Sequence, residues 1–201
     1  MGIPVSEAEW ASLEPLAKRE RLLAAAAVVF SRDGLDAPMP TIAAAAGAGV
    51  ASVYRQFPSK QDLLAELVVR RLDQIAAGAE RAAAEPGERW SVLTALLRTL
   101  VEQQASDQFL GEAILRVETN PVVRAATSRA TDALEQLLAA ARVEGRLRSD
   151  ATTSDLRLIF AATRAARRIE PHAERRMLQL LIDGLGAGAA AGPTRGEALG
   201  S

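Results

Sequence analysis

The chain has 201 residues, 49% of them hydrophobic, with no cysteine, one histidine and a net charge of −1. That is enough apolar material for a core without disulfide staples, and the missing cysteines exclude thiolate metal sites. The single His172 argues against a histidine metal site or a catalytic triad, so composition points away from an enzyme and calls for no cofactor.

Aromatic content is only 3%, alanine is abundant and β-branched runs are scarce, so the predicted class is all-α, with about nine helices, no strand and no internal repeat. Residues 1–12 read as frayed. Pro15 suits a first helical turn, and Leu16, Leu22, Leu23, Ala26, Val29 and Phe30 give the first helix an apolar stripe. Gly34 ends it, because glycine takes the left-handed backbone that closes a helix, and Leu35 folds back onto the last turn.

Residues 39–64, MPTIAAAAGAGVASVYRQFPSKQDLL, then combine an apolar helix, a glycine-bearing turn, a short polar helix and a basic helix start. This reads as a helix-turn-helix, with Ile42 to Ala46 in its first helix, 47–49 as the turn, 50–56 as the second helix and Ser59 as the N-cap of a third. From Lys18 to Lys60 six cations face three carboxylates, a net +3, which leaves −4 for the rest of the chain. A mildly basic head on an acidic body suits a DNA reader joined to a second module; a solvated helix surface gives the same imbalance.

The stripe Leu63, Leu64, Leu67, Val68, Leu72 and Ile75 continues as a long helix until Glu85, Pro86 and Gly87 break it. Leu93, Leu96, Leu97, Leu100 and Val101 mark a helix over 88–105, and Phe109, Leu110, Ile114 and Val117 a shorter one over 107–118. Asn120 and Pro121 open a helix running to Glu144, with Val123, Ala126, Ala130, Leu134, Leu137 and Leu138 inward and Gly145 as its stop. Thr152 or Thr153, with Asp155, caps the next helix, whose stripe is Leu156, Ile159, Phe160 and Thr163. Pro171 starts the last helix, and its stripe of Met177, Leu178, Leu181, Ile182 and Leu185 dissolves into a Gly/Ala tail from Gly186 that is expected to be disordered.

Ile42-Ala43, Ala46-Gly47, Tyr54, Phe57 and Ser59-Lys60-x-x-Leu63-Leu64, in this order after a helix ending at Gly34, resemble the DNA-binding domain of the TetR family of bacterial transcriptional regulators. The motif covers roughly residues 16–64, and the helices behind it resemble that family's ligand-binding and dimerisation domain in number and length only. The implied domains are 13–60 for DNA binding, 61–190 for effector binding and dimerisation, and 191–201 as a disordered tail. The resemblance implies that Gly49, Val50, Ala51, Ser52, Tyr54 and Arg55 face double-stranded DNA, with Lys60 reaching a phosphate. Chemistry then divides the roles. Ser52, Tyr54 and Lys60 suit phosphate, Val50 and Ala51 suit thymine methyls, and Arg55 either reads guanine N7 and O6 or clamps a phosphate. Ala51 stands where the family often has glycine, and Met39 where it usually has a hydroxyl cap, with Thr41 a displaced substitute for that cap's phosphate contact.

Each of these has a plainer alternative. Phe57 reads first as packing under the motif, Tyr54 as wedge or contact, and Lys60 as a solvated charge. His172 reads as an exposed helix start, or as an effector or pH sensor. Glu112, Arg116 and Glu118 read as a solvated face, or as a polar anchor for a ligand. The resemblance further implies a homodimer through the two terminal helices, using Leu156, Ile159, Phe160, Thr163, Leu178, Leu181, Ile182 and Leu185. A small apolar or amphipathic effector would sit among the helices from Leu67 to Leu138, with Trp90, Leu97, Phe109, Ile114 and Val117 as candidate contacts.

The expected function is therefore a homodimeric repressor of a palindromic operator, released by its effector. A helical adaptor or a small helical enzyme is the alternative, though the sequence shows no metal spacing, nucleophile–histidine pair or phosphate-binding glycine loop. The longest apolar runs, such as 22–30, are about half of the roughly 20 residues a membrane span needs, and Glu7, Glu9 and Glu14 stand where a signal peptide would be basic. A soluble cytoplasmic protein with no membrane partner is expected.

Overall fold

A computed structural model describes residues 7–103 and 109–190. The described chain is helical throughout: α1 (Glu7–Ser12), α2 (Pro15–Asp33), α3 (Met39–Ala46), α4 (Val50–Gln56), α5 (Lys60–Ala84), α6 (Arg89–Gln103), α7 (Leu110–Val117), α8 (Pro121–Val143), α9 (Thr153–Ile169) and α10 (Ala173–Leu185), then a 3-10 turn over Ala187–Ala190. The all-α class with an N-terminal helix-turn-helix is as expected. Among the described residues the one β-type pairing is an isolated bridge between Leu147 and Gly186.

Two compact units hold these helices, one within Met1–Ala76 and Gln103–Ala130, the other within Ala77–Glu102 and Thr131–Ser201. In the first, Leu22, Leu23, Ala26, Val29 and Phe30 of α2 are buried as the periodicity requires. Leu16 is not part of that core and is 71% exposed, because it precedes the turn at which the buried face begins. Gly34 closes α2 at φ 80°, its N–H bonding the Phe30 carbonyl, and Leu35 is buried behind it. Phe109, just before α7, sets its ring 5.7 Å from that of Phe30 at 55°, a tilted aromatic pair. Residues 7–12, read as frayed, form α1 instead, and Trp10 is buried at 6% exposure; a single large apolar ring suffices to hold one and a half turns down.

In the second unit, Leu93 and Leu97 of α6, Leu137 and Leu138 of α8, Leu156 and Ile159 of α9 and Leu178 and Ile182 of α10 are all buried. Its helix ends are closed by side chains. The Glu144 carboxylate accepts the backbone N–H groups of Arg89 (2.8 Å) and Trp90 (3.2 Å), capping α6 from a position 55 residues away. Thr152 donates its N–H (2.7 Å) and hydroxyl (2.9 Å) to Asp155, forming the expected start of α9. The Gly/Ala stretch after Leu185 departs from its expected disorder at its beginning: Arg148 donates to the Leu185 carbonyl (3.0 Å) and Ala187 to that of Arg146 (2.9 Å), so backbone pairing orders a segment that has almost no side chains. The rest of the expected tail, 191–201, lies outside the described residues.

Candidate nucleic-acid interface

The turn between α3 and α4 depends on one glycine. Gly47 adopts φ 69° and ψ 28°, its N–H bonds the Ala44 carbonyl at 3.1 Å, and the next N–H, of Ala48, bonds Ala43 at 2.9 Å. A side chain at this left-handed position would be strained, so glycine fixes the angle at which α4 leaves. Gly49, the N-cap of α4, has an ordinary φ of −70°, and a Cβ there would meet no atom within 4 Å. Nothing inside the protein requires a glycine at that position.

Two fully buried residues hold α4 down, Val53 within it and Phe57 just after it. Their spacing turns Val50, Ala51, Tyr54 and Arg55 outward onto one face, and all four are exposed. Val50 and Tyr54 are 41% and 46% exposed, unusual for an apolar and an aromatic residue on a helix that has a core beneath it. Ser52 is half-buried, its oxygen accepting a hydrogen bond from Arg55 Nη2 at 2.7 Å, which orients the guanidinium along the helix. Thr41 is half-buried in α3, and Met39, at the first position of that helix, is buried, with no side chain capping α3.

Phe57 packs under the motif, and the Arg19 guanidinium lies over its ring, 4.2 Å from the centroid. Arg19 also donates Nη1 to the Gln56 carbonyl at the end of α4 (2.9 Å) and pairs through Nε (3.0 Å) and Nη2 with Glu66. Arg70, one turn further along α5, reaches Glu66 at 3.3 Å and Glu20 of α2 through two 2.5 Å contacts. This network of two arginines and two glutamates fastens α2 and the end of α4 to α5, and sequence reasoning missed it. Its signal was partial: Glu66 and Arg70 stand at i, i+4 on one helix, but Arg19 lies 47 residues from Glu66.

The start of α5 is as expected in one respect and different in another. Ser59 Oγ accepts the Asp62 N–H (3.1 Å), and Asp62 accepts the Ser59 N–H (3.0 Å), a reciprocal cap. Lys60, however, donates its ammonium to the carbonyls of Leu35 (3.2 Å) and Asp36 (3.1 Å), tying the loop after α2 to α5. The Asp36 carboxylate in turn accepts from Arg116 Nη1 of α7 at 2.7 Å, while Arg116 Nη2 bonds Glu112 at 2.7 Å. The Arg116 hydrogen bond holds the Asp36 carboxyl below its usual range, and Asp36 followed by Glu112 keeps Arg116 firmly protonated. The i, i+4 pairing of Glu112 and Arg116 was legible in the sequence; the third partner was not.

The remaining candidates divide. Phe109, Ile114 and Val117 belong to the first unit and Trp90 and Leu97 to the second; Phe109 lines a cleft of about 220 Å³ within the first. Of the proposed dimer residues, Leu156, Ile159, Thr163, Leu178, Ile182 and Leu185 are buried within their own chain, and Phe160 and Leu181 are half-buried. The apolar residues left outside on these helices are Leu158 (66% exposed), Ile169 (86%) and Leu180 (50%). His172 is exposed at the start of α10 with φ 67°. Among the described residues no three His, Asp or Glu side chains are grouped to hold a metal ion, and no helix is long and apolar enough to cross a membrane.

Comparison with known proteins agrees with this geometry. Residues 22–67 match the family described as "Bacterial regulatory proteins, tetR family", and residues 85–187 match the "Transcriptional regulator SbtR-like, C-terminal domain". The HTH-type transcriptional repressor KstR of Mycolicibacterium smegmatis is 32% identical over 113 residues, 56% of this chain and 55% of the relative, so the match spans about half the length of that protein. A TetR transcriptional regulator of Streptomyces coelicolor, SCO0520, is 27% identical, with 84% of this chain and 98% of that one covered at a TM-score of 0.61. A TetR regulatory protein of Mycobacterium vanbaalenii is 28% identical over 89% of this chain and 98% of its own, at a TM-score of 0.60.

Proposed function

The chain belongs to the TetR family of bacterial transcriptional regulators, and on that premise we propose that it acts as a homodimeric repressor, releasing a palindromic operator when a small effector binds. The observation that carries this reading is the face of α4, where Val50, Ala51, Tyr54 and Arg55 project from a helix whose other side is locked by Val53 and Phe57. Apolar and aromatic side chains held outward on so short a helix suit the floor of a major groove, where thymine methyls and base edges replace solvent. In this reading Thr41, Ser52, Tyr54 and Lys60 take phosphates, Lys60 with the donor that remains after its two carbonyl bonds. The reading head is residues 13–60 and the effector and dimer module 61–190. Fluorescence anisotropy with duplexes from the DNA flanking the gene tests the reading: binding should be sequence-specific and weaken steeply with salt, and equal affinity for unrelated duplexes would refute it.

Gly49 supplies a separate check. Since the protein itself places no demand for glycine there, Gly49→Ala should alter stability by about 1 kcal/mol or less. Its DNA affinity should fall at least tenfold, because a methyl group then stands where the backbone approaches the duplex. Unchanged affinity would remove residue 49 from the interface.

In the proposed dimer, α9 and α10 of two copies form a four-helix bundle. The buried Leu156, Ile159, Leu178 and Ile182 shape this pair from within, while Leu158, Ile169 and Leu180, with the half-buried Phe160 and Leu181, meet the partner. Leu158→Glu combined with Leu180→Glu should give a monomer by sedimentation and lower operator affinity by about 10²-fold or more, since two linked heads bind far more tightly than one. A dimer that survives both changes places the interface elsewhere.

A further inference from the structure

The exposed face of α4 is chemically narrow. Val50, Ala51, Tyr54 and Arg55 make it up, and none carries a carboxylate or a carboxamide, the groups that pair with the cytosine amino group or with both edge atoms of adenine. Gln56 supplies the one carboxamide of this helix, and it is half-buried at the C-terminal end, away from the N-terminal residues that enter a groove. What remains for reading bases is a set of methyl groups and one guanidinium. Their placement couples them. Ala51 and Arg55 stand one turn apart on the same ridge, and the 2.7 Å bond from Arg55 Nη2 to Ser52 Oγ draws the guanidinium back along the helix, to the turn that presents the Ala51 methyl. A planar cation with weakly hydrated faces is thereby held near an exposed methyl group.

We propose that Ala51 and Arg55 together recognise a pyrimidine–guanine step whose pyrimidine carries a C5-methyl group, T-G or 5-methylcytosine-G, so that operator binding depends on base methylation. Guanine offers N7 and O6 to the guanidinium fork, and the C5 substituent of the pyrimidine on its 5′ side projects into the major groove beside them. A methyl group there packs against the Ala51 methyl and the guanidinium face; a hydrogen forfeits both contacts. Thymine and 5-methylcytosine present the same group to this site, which gives cytosine methylation a direct effect on binding, separate from any effector. The proposal rests on the reading of the chain as a DNA-binding regulator.

A duplex that the protein enriches from a random-sequence library supplies the probe, and it should contain a T-G step in each half-site. Anisotropy then compares versions with T, U, C or 5-methylcytosine before that guanine. Replacing T by U, which deletes only the methyl group, should lower affinity about fourfold in one half-site and about 15-fold in both, as the loss of one or two buried methyl groups requires. Over C, 5-methylcytosine should gain about the same fourfold per half-site. In Ala51→Gly the T-to-U ratio for one half-site should fall to about twofold or less, since one of the two methyl contacts is gone. A head merely loosened by glycine binds both duplexes more weakly and keeps the ratio, so the ratio decides. An enriched sequence without the step, T and U duplexes bound alike, 5-methylcytosine bound no better than C, or an Ala51→Gly protein with the parent ratio would each overturn the methyl site and leave the regulator reading standing. Enrichment of no sequence refutes the regulator reading and the site with it.

Discussion

Phe57→Ala should destabilise the protein by about 3–5 kcal/mol and remove sequence-specific DNA binding with it. The side chain is fully buried, so the change leaves a cavity under α4 rather than a solvent-filled dent. It also removes the ring beneath the Arg19 guanidinium, a contact of about 0.5–2 kcal/mol that also aims Arg19 at the Gln56 carbonyl and at Glu66. With the ring gone, three attachments of the reading helix loosen together. Urea denaturation followed by circular dichroism measures the loss, and Phe57→Leu should recover more than half of it. A loss under about 1 kcal/mol would mean that α4 is held mainly by Val53 and the α3 turn.

Arg55→Ala should leave stability within about 0.5 kcal/mol, as expected for an exposed residue, and lower operator affinity by about 1–3 kcal/mol per reading helix. Across two half-sites that amounts to roughly 30- to 10⁴-fold. The guanidinium is already oriented by its 2.7 Å bond to Ser52, so little side-chain entropy remains to be lost on contact. Arg55→Lys separates the two roles open to this residue. A phosphate clamp tolerates the exchange with most of the affinity retained. A guanine reader does not, because an ammonium cannot reproduce the fork, and discrimination at one base pair disappears while the salt dependence stays nearly constant. Binding curves for Arg55→Ala that superimpose on the parent's would exclude both.

Much of the fold was legible because local rules decided it. Gly34, Gly47 and Gly145 end helices at positive φ, as their positions after apolar stripes indicated, and Ser59 and Thr152 start them. Periodicity also found most of the buried faces of α6 and α8, missing Thr94, Ala133 and Ala141. Where it misled, the reason was the same each time: a 3.6-residue stripe shows that a face is covered but not by what. Leu156, Ile159, Leu178 and Ile182 carry the stripe that the resemblance assigns to a dimer, and they are buried within their own chain; Leu158, Ile169 and Leu180, off the stripe, remain exposed. Long-range polar pairs were illegible for a related reason. Lys60 has a phosphate-binder's place in the motif, yet the carbonyls it bonds lie 24 and 25 residues back, in a loop whose path no local pattern encodes. Trp10 was an isolated apolar residue in an acidic stretch, and burial of one ring leaves no periodic trace.

The Arg19–Glu66–Arg70–Glu20 network bears on motion as much as on stability. Glu66 is gripped from both sides and Glu20 from α5, so α2 and the first turns of α5 cannot rotate separately without breaking several charged contacts at once. Helix α5 is then a lever arm with the head clamped to its tip. Its 25 residues span about 37 Å, so a tilt of about 10° about the far end swings the tip by about 6 Å. That is nearly two base-pair steps of about 3.4 Å each. In the proposed dimer, two recognition helices would have to sit roughly 34 Å apart to occupy successive major grooves, which leaves no such tolerance. On that proposal, a stiff clamp would convert a small angular change into a loss of register, with no need for the head itself to deform.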